Sequence, residues 1–219
     1  MRIPNIFHKE KKSPVNTFKH SGNLGDIIFS LPTIIALGGG KLYLSNKTSG
    51  IKTRKFTDDM LIQMIDLLKT QSYLSGVCCY NEERIDYSLD KFREIFACYD
   101  HIARWHLKAF NMQFDLTRPW LENIGGIKTR EIVINDTLRD ADAPLNWKIL
   151  KEFESMCVFV GFEHEYDGFR KGSGLDIPLH PTKTILEFAR IIKGAKLFIG
   201  NQSLGFALAE AMKIPRILE

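Results

Sequence analysis

The sequence predicts an α/β fold made of two successive lobes. Short apolar runs alternate with segments of helical periodicity along the 219-residue chain, which is typical of mostly parallel sheets flanked by helices. A stretch with Pro119, Gly125 and Gly126 interrupts this alternation near the middle of the chain, as a linker would. We therefore place an N-terminal α/β lobe at residues 1–125 and a C-terminal α/β lobe at residues 126–219.

The elements of the N-terminal lobe follow from the spacing of apolar residues. Short apolar runs bounded by turn residues predict strands, and apolar residues recurring every three or four positions predict helices. The expected strands are 15–19, 41–45 and 74–80. The expected helices run from Asp26 to Leu37, where three glycines follow, over 57–69, and through most of 88–112.

The C-terminal lobe repeats the same alternation. Strands are expected at 131–135, 157–160, 196–199 and 215–218, and helices at 147–156, 163–171, 182–192 and 203–212. Thr182 is the expected N-cap of the third of these helices, and Gly194 marks its end.

Charge and composition set limits on the function. The 30 basic and 26 acidic residues leave a net charge of +4, which suits an anionic ligand such as a nucleotide diphosphate but does not by itself indicate nucleic acid. The first residues lack the apolar core of a secretion signal, and no run reaches the roughly 18 apolar residues of a membrane span. No two of the four cysteines form a CxxC pair. We therefore expect a protein of the reducing cytoplasm.

The turn after the first strand is one candidate site. It contains His20, Ser21, Gly22, Asn23, Gly25 and Asp26. Glycines permit close approach of a ligand, and a helix N-terminus attracts anions. An Asp at this place can act as a general base on a sugar hydroxyl, with His20 as a second polar group at the same rim. A capping role for Asp26, with ordinary turn glycines, explains the spacing equally well.

A second strand–loop–helix turn lies near the end of the chain. Gly200, Asn201, Gln202 and Ser203 connect the strand to the helix, and the backbone N–H groups of residues 203–205 are expected to receive a diphosphate. The alternative is that Ser203 is simply an N-cap in a polar turn.

Two more strand-end loops supply candidate donor-binding residues. Asn135 ends one strand, and Arg139 is a candidate phosphate clamp because a guanidinium fork matches phosphate oxygens; an ordinary surface arginine is the alternative. Gly161 and Glu163 follow the next strand, where we expect contacts to a nucleotide base. We predict no metal site, because adjacent acidic and His side chains on such a turn point apart.

Two motifs, taken in order, carry a family resemblance. His20–Pro32, which reads HSGNLGDIIFSLP, resembles the opening motif of heptosyltransferase-like GT-B enzymes of glycosyltransferase family 9. The segment FIGNQS at 198–203, with AEA at 209–211 and Ile214-Pro215, resembles the donor-lobe motif of that family. Asn23 stands where the family has a basic residue before Leu-Gly-Asp.

The resemblance implies a fold and an activity. The fold would be two Rossmann-like lobes of the GT-B type, compact or truncated. The activity would be inverting, metal-independent transfer of a hexosyl or heptosyl group from a nucleotide sugar, with Asp26 as base and no further cofactor. The donor would bind loops 135–139, 161–165 and 200–204. The acceptor stays open between a glycan, a lipid-linked sugar and a modified nucleic acid base. The alternatives are a non-catalytic binding module and a nucleotide-sugar epimerase or hydrolase.

Overall fold

The computed structural model describes residues 15–47, 57–95, 100–137 and 146–218 of the chain. The strands in these ranges are β1 (Thr17–His20), β2 (Gly40–Leu44), β3 (Leu74–Cys79), β4 (Tyr87–Ser88), β5 (Ile132–Asn135), β6 (Cys157–Val160), β7 (Leu179–His180), β8 (Leu197–Gly200) and β9 (Arg216–Leu218). The α-helices are α1 (Leu24–Ala36), α2 (Asp58–Leu68), α3 (Ile102–Ala109), α4 (Glu163–Ser173), α5 (Ile185–Gly194) and α6 (Leu204–Ala211). Two 3₁₀ helices lie at Leu89–Glu94 and Trp147–Met156.

The strands form two parallel sheets, as the alternating pattern predicts. Their orders are β3-β2-β1-β4 and β7-β6-β5-β8-β9. In each sheet the chain first moves outward, from β1 to β3 or from β5 to β7, and then returns to the other side of the first strand. The strand order therefore reverses between β1 and β4 and between β5 and β8. Open α/β sheets bind their ligands outside the carboxyl ends of the strands at such points.

One hydrophobic core connects the helices of the two sheets. Helix α1 packs against α6, and α2 packs against α5, so that apolar residues of all four helices belong to one buried cluster. The side chains of β5 alternate in direction, as strand geometry requires. Val133 joins the shared cluster, while Ile132 and Ile134 join a second cluster on the opposite face of the second sheet.

The helix predicted around Pro32 is present, and Pro32 lies inside α1. A proline has no N–H to give to the carbonyl four residues earlier, here that of Ile28. The indole Nε1–H of Trp120 donates to this Ile28 carbonyl oxygen over 3.0 Å. Trp120 is fully buried, and its own backbone N–H donates to the carbonyl of Ala211 in α6. Trp120 thus supplies the hydrogen bond that the Ile28 carbonyl of α1 lacks, and it connects α1 to α6.

The structure corrects the helix expected over 88–112. Two residues of β4 pair with β1, and a 3₁₀ helix follows in which Leu89 and Phe92, three positions apart, are the buried residues. An α-helix begins only after His101, whose ring nitrogen accepts from the N–H of Ala103. Residues 96–99 lie outside the described ranges.

In the second half, the helix predicted over 147–156 is present, and one predicted cap is wrong. Residues Trp147–Met156 form a 3₁₀ helix that buries Trp147 and Leu150. Thr184, not Thr182, caps α5. Its hydroxyl accepts from the N–H of Glu187, and a Glu three residues after the cap is the signature that Thr182 lacks.

In the described part of the chain, every helix is too short or too polar to cross a bilayer.

Candidate functional site

The first reversal of strand order holds the Gly-Asp turn predicted from sequence. The loop after β1 leads into α1, and the 3₁₀ helix Leu89–Glu94 follows directly after β4, the other strand of the crevice. Asn23 occupies the N-cap of α1 without a side-chain hydrogen bond, and Asp26 lies in the first turn of the helix. Asp26 is therefore not the capping residue, and its carboxylate faces the neighbouring 3₁₀ helix.

An arginine from that 3₁₀ helix connects two carboxylates. Arg93 donates from Nη1 to Oδ1 of Asp90 over 2.7 Å and from Nη2 to Oδ2 of Asp26 over 3.3 Å. All three side chains are 15–23% exposed, so that solvent weakens these contacts only in part. The shorter arm anchors Arg93 to Asp90, and the longer arm holds Asp26.

The turn itself is fastened to the same cluster. The backbone N–H and hydroxyl of Ser21 both donate to the carboxylate of Asp90. Burial of Asp90 opposes its ionisation, but His20, the two Ser21 hydrogen bonds and Arg93 outweigh this effect and lower the pKa of Asp90. A Cβ at Gly22 would lie 1.9 Å from Nη2 of Arg93. Any residue other than glycine at this position would therefore clash with the guanidinium group.

His20 lies beneath this turn and not at its rim. It is fully buried, and its Nδ1 accepts from the backbone N–H of Gly22 over 2.9 Å. Burial lowers its pKa to about 4, despite the nearby Asp90. His106 lies against it, with 5.4 Å between the ring centroids, and burial lowers the pKa of His106 well below its usual value. Both imidazoles are therefore neutral at pH 7 and support the turn from inside.

The second reversal of strand order, between β5 and β8, contains the predicted donor-side residues. Asn201, after β8, accepts from the hydroxyl of Thr137 over 2.9 Å and donates to the Thr137 carbonyl over 2.6 Å. Asn135, at the end of β5, donates to the carbonyl of Val160 over 2.8 Å and accepts from the hydroxyl of Ser203 over 3.3 Å. Buried Asn135 and Asn201 thus tie together the loops after β5, β6 and β8.

Glycines allow these loops to approach so closely. A Cβ at Gly200 would lie 2.3 Å from the backbone oxygen of Asn135, and one at Gly161 would lie 2.9 Å from a carboxylate oxygen of Glu165. Glu165 is buried and accepts from the N–H of Phe162 at the start of α4. Glu163, the carboxylate favoured from sequence, is exposed.

The two predicted turns meet in space. A Cβ at Gly25 would be 3.7 Å from the backbone oxygen of Ser203 and 3.7 Å from Cβ of Ala207. The first turns of α1 and α6 therefore lie side by side. The first turn of each presents backbone N–H groups and a partial positive charge.

The N-cap side chains of these two helices do not bond the first helical turns. Neither Asn23 before α1 nor Ser203 before α6 makes a capping side-chain hydrogen bond, and the same holds for Phe162 before α4. Thr57, His101 and Thr184 cap α2, α3 and α5 through their side chains. The N-cap side chains of α1 and α6 therefore do not occupy the backbone N–H groups where the two helices converge.

Sequence reasoning missed several residues of this site, and one predicted residue cannot be placed. Asp90 and Arg93 join it through the fold alone, since nothing in their local sequence marks them, whereas Thr137 and Glu165 lie in predicted donor loops without having been singled out. Arg139 lies outside the described residues. Gln202 is exposed at the head of α6. Among the residues that the structure describes, no cluster of three or more His, Cys, Asp or Glu side chains is placed to hold a metal ion.

Comparison with known proteins adds solved structures of similar fold. No family model and no curated sequence matches the chain. The E. coli heptosyltransferase WaaC solved with ADP superposes with a TM-score of 0.58 at 13% identity, covering 92% of this chain and 86% of that one. WaaC with ADP-2-deoxy-2-fluoro heptose gives 0.56 at 12% identity, covering 92% and 87%. A family 9 glycosyltransferase from Veillonella parvula DSM 2008 gives 0.57 at 10% identity, covering 92% and 79%. The chain therefore has the fold of the heptosyltransferase-like glycosyltransferases of family 9.

Proposed function

We propose that this chain is a nucleotide-sugar-dependent glycosyltransferase of the GT-B type. Residues 1–125 form the acceptor-side lobe and residues 126–219 the donor-side lobe. The proximity of the first turns of α1 and α6 carries the proposal, because Asp26 lies in the first turn of α1 and the donor would bind at the backbone N–H groups of α6. The similarity of fold to WaaC, solved with ADP and with an ADP-sugar, supports it.

The donor diphosphate binds at the N-terminus of α6. The amide groups of residues 203–205 donate to its oxygens, and the helix dipole stabilises its charge. Gln202 and Ser203 offer further polar groups at the same place. The nucleoside extends along the loops after β5 and β6, past Asn135 and Gly161, with the exposed carboxylate of Glu163 near the ribose hydroxyls.

The reaction is a single displacement at the anomeric carbon. An acceptor hydroxyl gives its proton to Asp26 as its oxygen forms the new bond to that carbon. The bond between this carbon and the diphosphate oxygen breaks, and the diphosphate leaves with the electron pair. We propose that the α6 amides stabilise this developing charge, as preorganised donors do in other enzymes, and that no metal is needed.

The contact between Arg93 and Asp26 favours a second candidate, a nucleotide-binding module without transferase activity. Arg93 already holds the carboxylate that would act as base. In the catalytic reading, the incoming acceptor hydroxyl replaces the longer arm of Arg93, while the shorter arm stays on Asp90. Loss of sugar transfer in Asp26→Asn, with donor binding retained, separates the two candidates in favour of the enzyme.

A thermal-shift panel of nucleotides and nucleotide sugars tests the proposal. A ligand at 100 times its dissociation constant stabilises a fold by about 2.7 kcal/mol, or roughly 5–10 °C for a chain of this size. We expect one nucleotide series to give such a shift and Asn201→Ala to reduce it. Asn146→Ala is the matched control, because Asn146 is exposed and makes no capping bond. Absence of any shift across the panel contradicts the proposal.

A further inference from the structure

Phe162 is an exposed aromatic residue on the donor side of the site. It follows Gly161 at the carboxyl end of β6 and is 56% exposed. Burial of a Phe side chain stabilises a fold, and this residue forgoes much of that gain. It belongs to neither of the hydrophobic clusters found among the described residues, so packing of the core does not account for it.

Two contacts restrain Phe162, one through its backbone and one through its ring. The backbone N–H of Phe162 donates to Oε2 of the buried Glu165 over 3.0 Å, which fixes the entry into α4. Its ring lies nearly parallel to that of His164, at 12° with 5.6 Å between centroids. The bonded backbone and the neighbouring parallel ring restrict the aromatic ring, and a restricted ring costs less entropy when a ligand stacks on it.

Phe162 lies at a suitable distance from the phosphate-binding end of α6. The strand order β6-β5-β8 places the loop after β6 two strands away from the loop after β8. Neighbouring strands are about 4.8 Å apart, so the two loops are separated by about 10 Å. A nucleoside diphosphate spans this interval when its diphosphate is at Ser203. The side-chain amide of Asn135, at the end of the intervening strand β5, donates to the carbonyl of Val160 in β6. Polar groups therefore lie between the two loops.

We propose that Phe162 is the stacking platform for the nucleobase of the donor, with His164 behind it. This inference rests on the proposed function and names the residue that holds the base. Stacking recognises the flat face of a base and is tolerant of its identity. Choice between bases would then come from other groups, while Phe162 supplies affinity common to all of them.

Calorimetric titration with ADP, GDP, UDP and CDP tests this role. The nucleotide that binds the wild-type protein most tightly is then titrated into the variants. Loss of a base–aromatic stack is expected to weaken binding by about 5-fold or more in Phe162→Ala. Phe162→Leu, which stays apolar but has no ring, should lose affinity as well, whereas Phe162→Trp should stay within twofold of the wild type.

Phe153→Ala is the matched control, because Phe153 is similarly exposed, at 45%, on the 3₁₀ helix away from the loop. It should bind as the wild type does, and all variants should melt at similar temperatures without nucleotide. Unchanged binding in Phe162→Ala, with a nucleotide still bound, overturns the stacking role alone. Failure of all four nucleotides to bind the wild type overturns the donor-side proposal as well.

Discussion

Gly22→Ala is the perturbation that tests the Asp26 cluster most specifically. The new Cβ would lie 1.9 Å from Nη2 of Arg93 and 2.7 Å from Cε1 of the buried His20. The guanidinium is the mobile group of the two, since it ends a flexible side chain. It must move away from Gly22, and its contacts to Asp26 and Asp90 are then lost or lengthened.

The cost follows from those contacts. A hydrogen bond to a charged group contributes about 1.5–3 kcal/mol when buried, and exposed ion pairs contribute about 0–1 kcal/mol. Arg93, Asp26 and Asp90 are 15–23% exposed and fall between these limits. We expect Gly22→Ala to lower the free energy of unfolding by about 1–2 kcal/mol, which corresponds to roughly 2–8 °C in the melting temperature.

Urea denaturation of four variants provides the assay. Gly125→Ala is the control, because a Cβ at Gly125 meets no atom within 4 Å. In an Arg93→Ala background, Gly22→Ala should cost much less than in the wild type, since the displaced group is already gone. Equal stability of Gly22→Ala and Gly125→Ala, or full additivity with Arg93→Ala, would refute the arrangement described for Arg93.

Three further predictions concern the pH dependence of stability, the hydrogen bond from Trp120 to α1, and Asp26 as the general base. Burial lowers the pKa of His20 to about 4 and lowers the pKa of His106 well below its usual value, so that the unfolded chain binds more protons below pH 6.5. The free energy of unfolding, measured in urea, should be highest above pH 6.5 and fall by up to about 2.7 kcal/mol per pH unit toward pH 4. His106→Phe should reduce that slope, and an unchanged slope contradicts the burial of a neutral His106. Trp120→Phe should cost about 1–3 kcal/mol because the Ile28 carbonyl loses its donor, and a cost that does not shrink in a Pro32→Ala background, where the helix N–H is restored, counts against this reading. Asp26→Asn should leave the dissociation constant of the nucleotide within twofold and lower release of nucleoside diphosphate from the donor about 100-fold or more; a lesser loss would remove Asp26 as the base.

The fold was largely predictable because its signals are local. Alternating apolar runs and helical periods gave the order of elements in both halves, and each predicted strand is present. The two-residue strands β4 and β7 carry no period of their own, and only pairing with β1 and β6 defines them. The sequence predicted helices at both 3₁₀ segments but not their type, because periods of 3.0 and 3.6 are hard to distinguish over two turns.

The candidate site was predictable only where one strand leads directly into one helix. Gly25, Asp26, Asn201 and Ser203 lie in such turns, and their residue types already suggested a ligand. Arg93 reaches Asp26 from 67 positions away along the chain, through a reversal of strand order that no local pattern records. The burial of His20 was missed for the same reason, since Phe92 and His106 cover it from later elements.

Hydrogen exchange with the tightest-binding nucleotide sugar tests the central claim, that the first turns of α1 and α6 form one site. We expect slowed exchange in peptides that cover residues 20–30 and 198–208 together, because Gly25 lies against Ser203 and Ala207. The groove along α3, lined by Arg104, Lys108 and Phe114 among others, should be unaffected by the donor. Protection confined to that groove, or to only one of the two turns, would contradict a shared site.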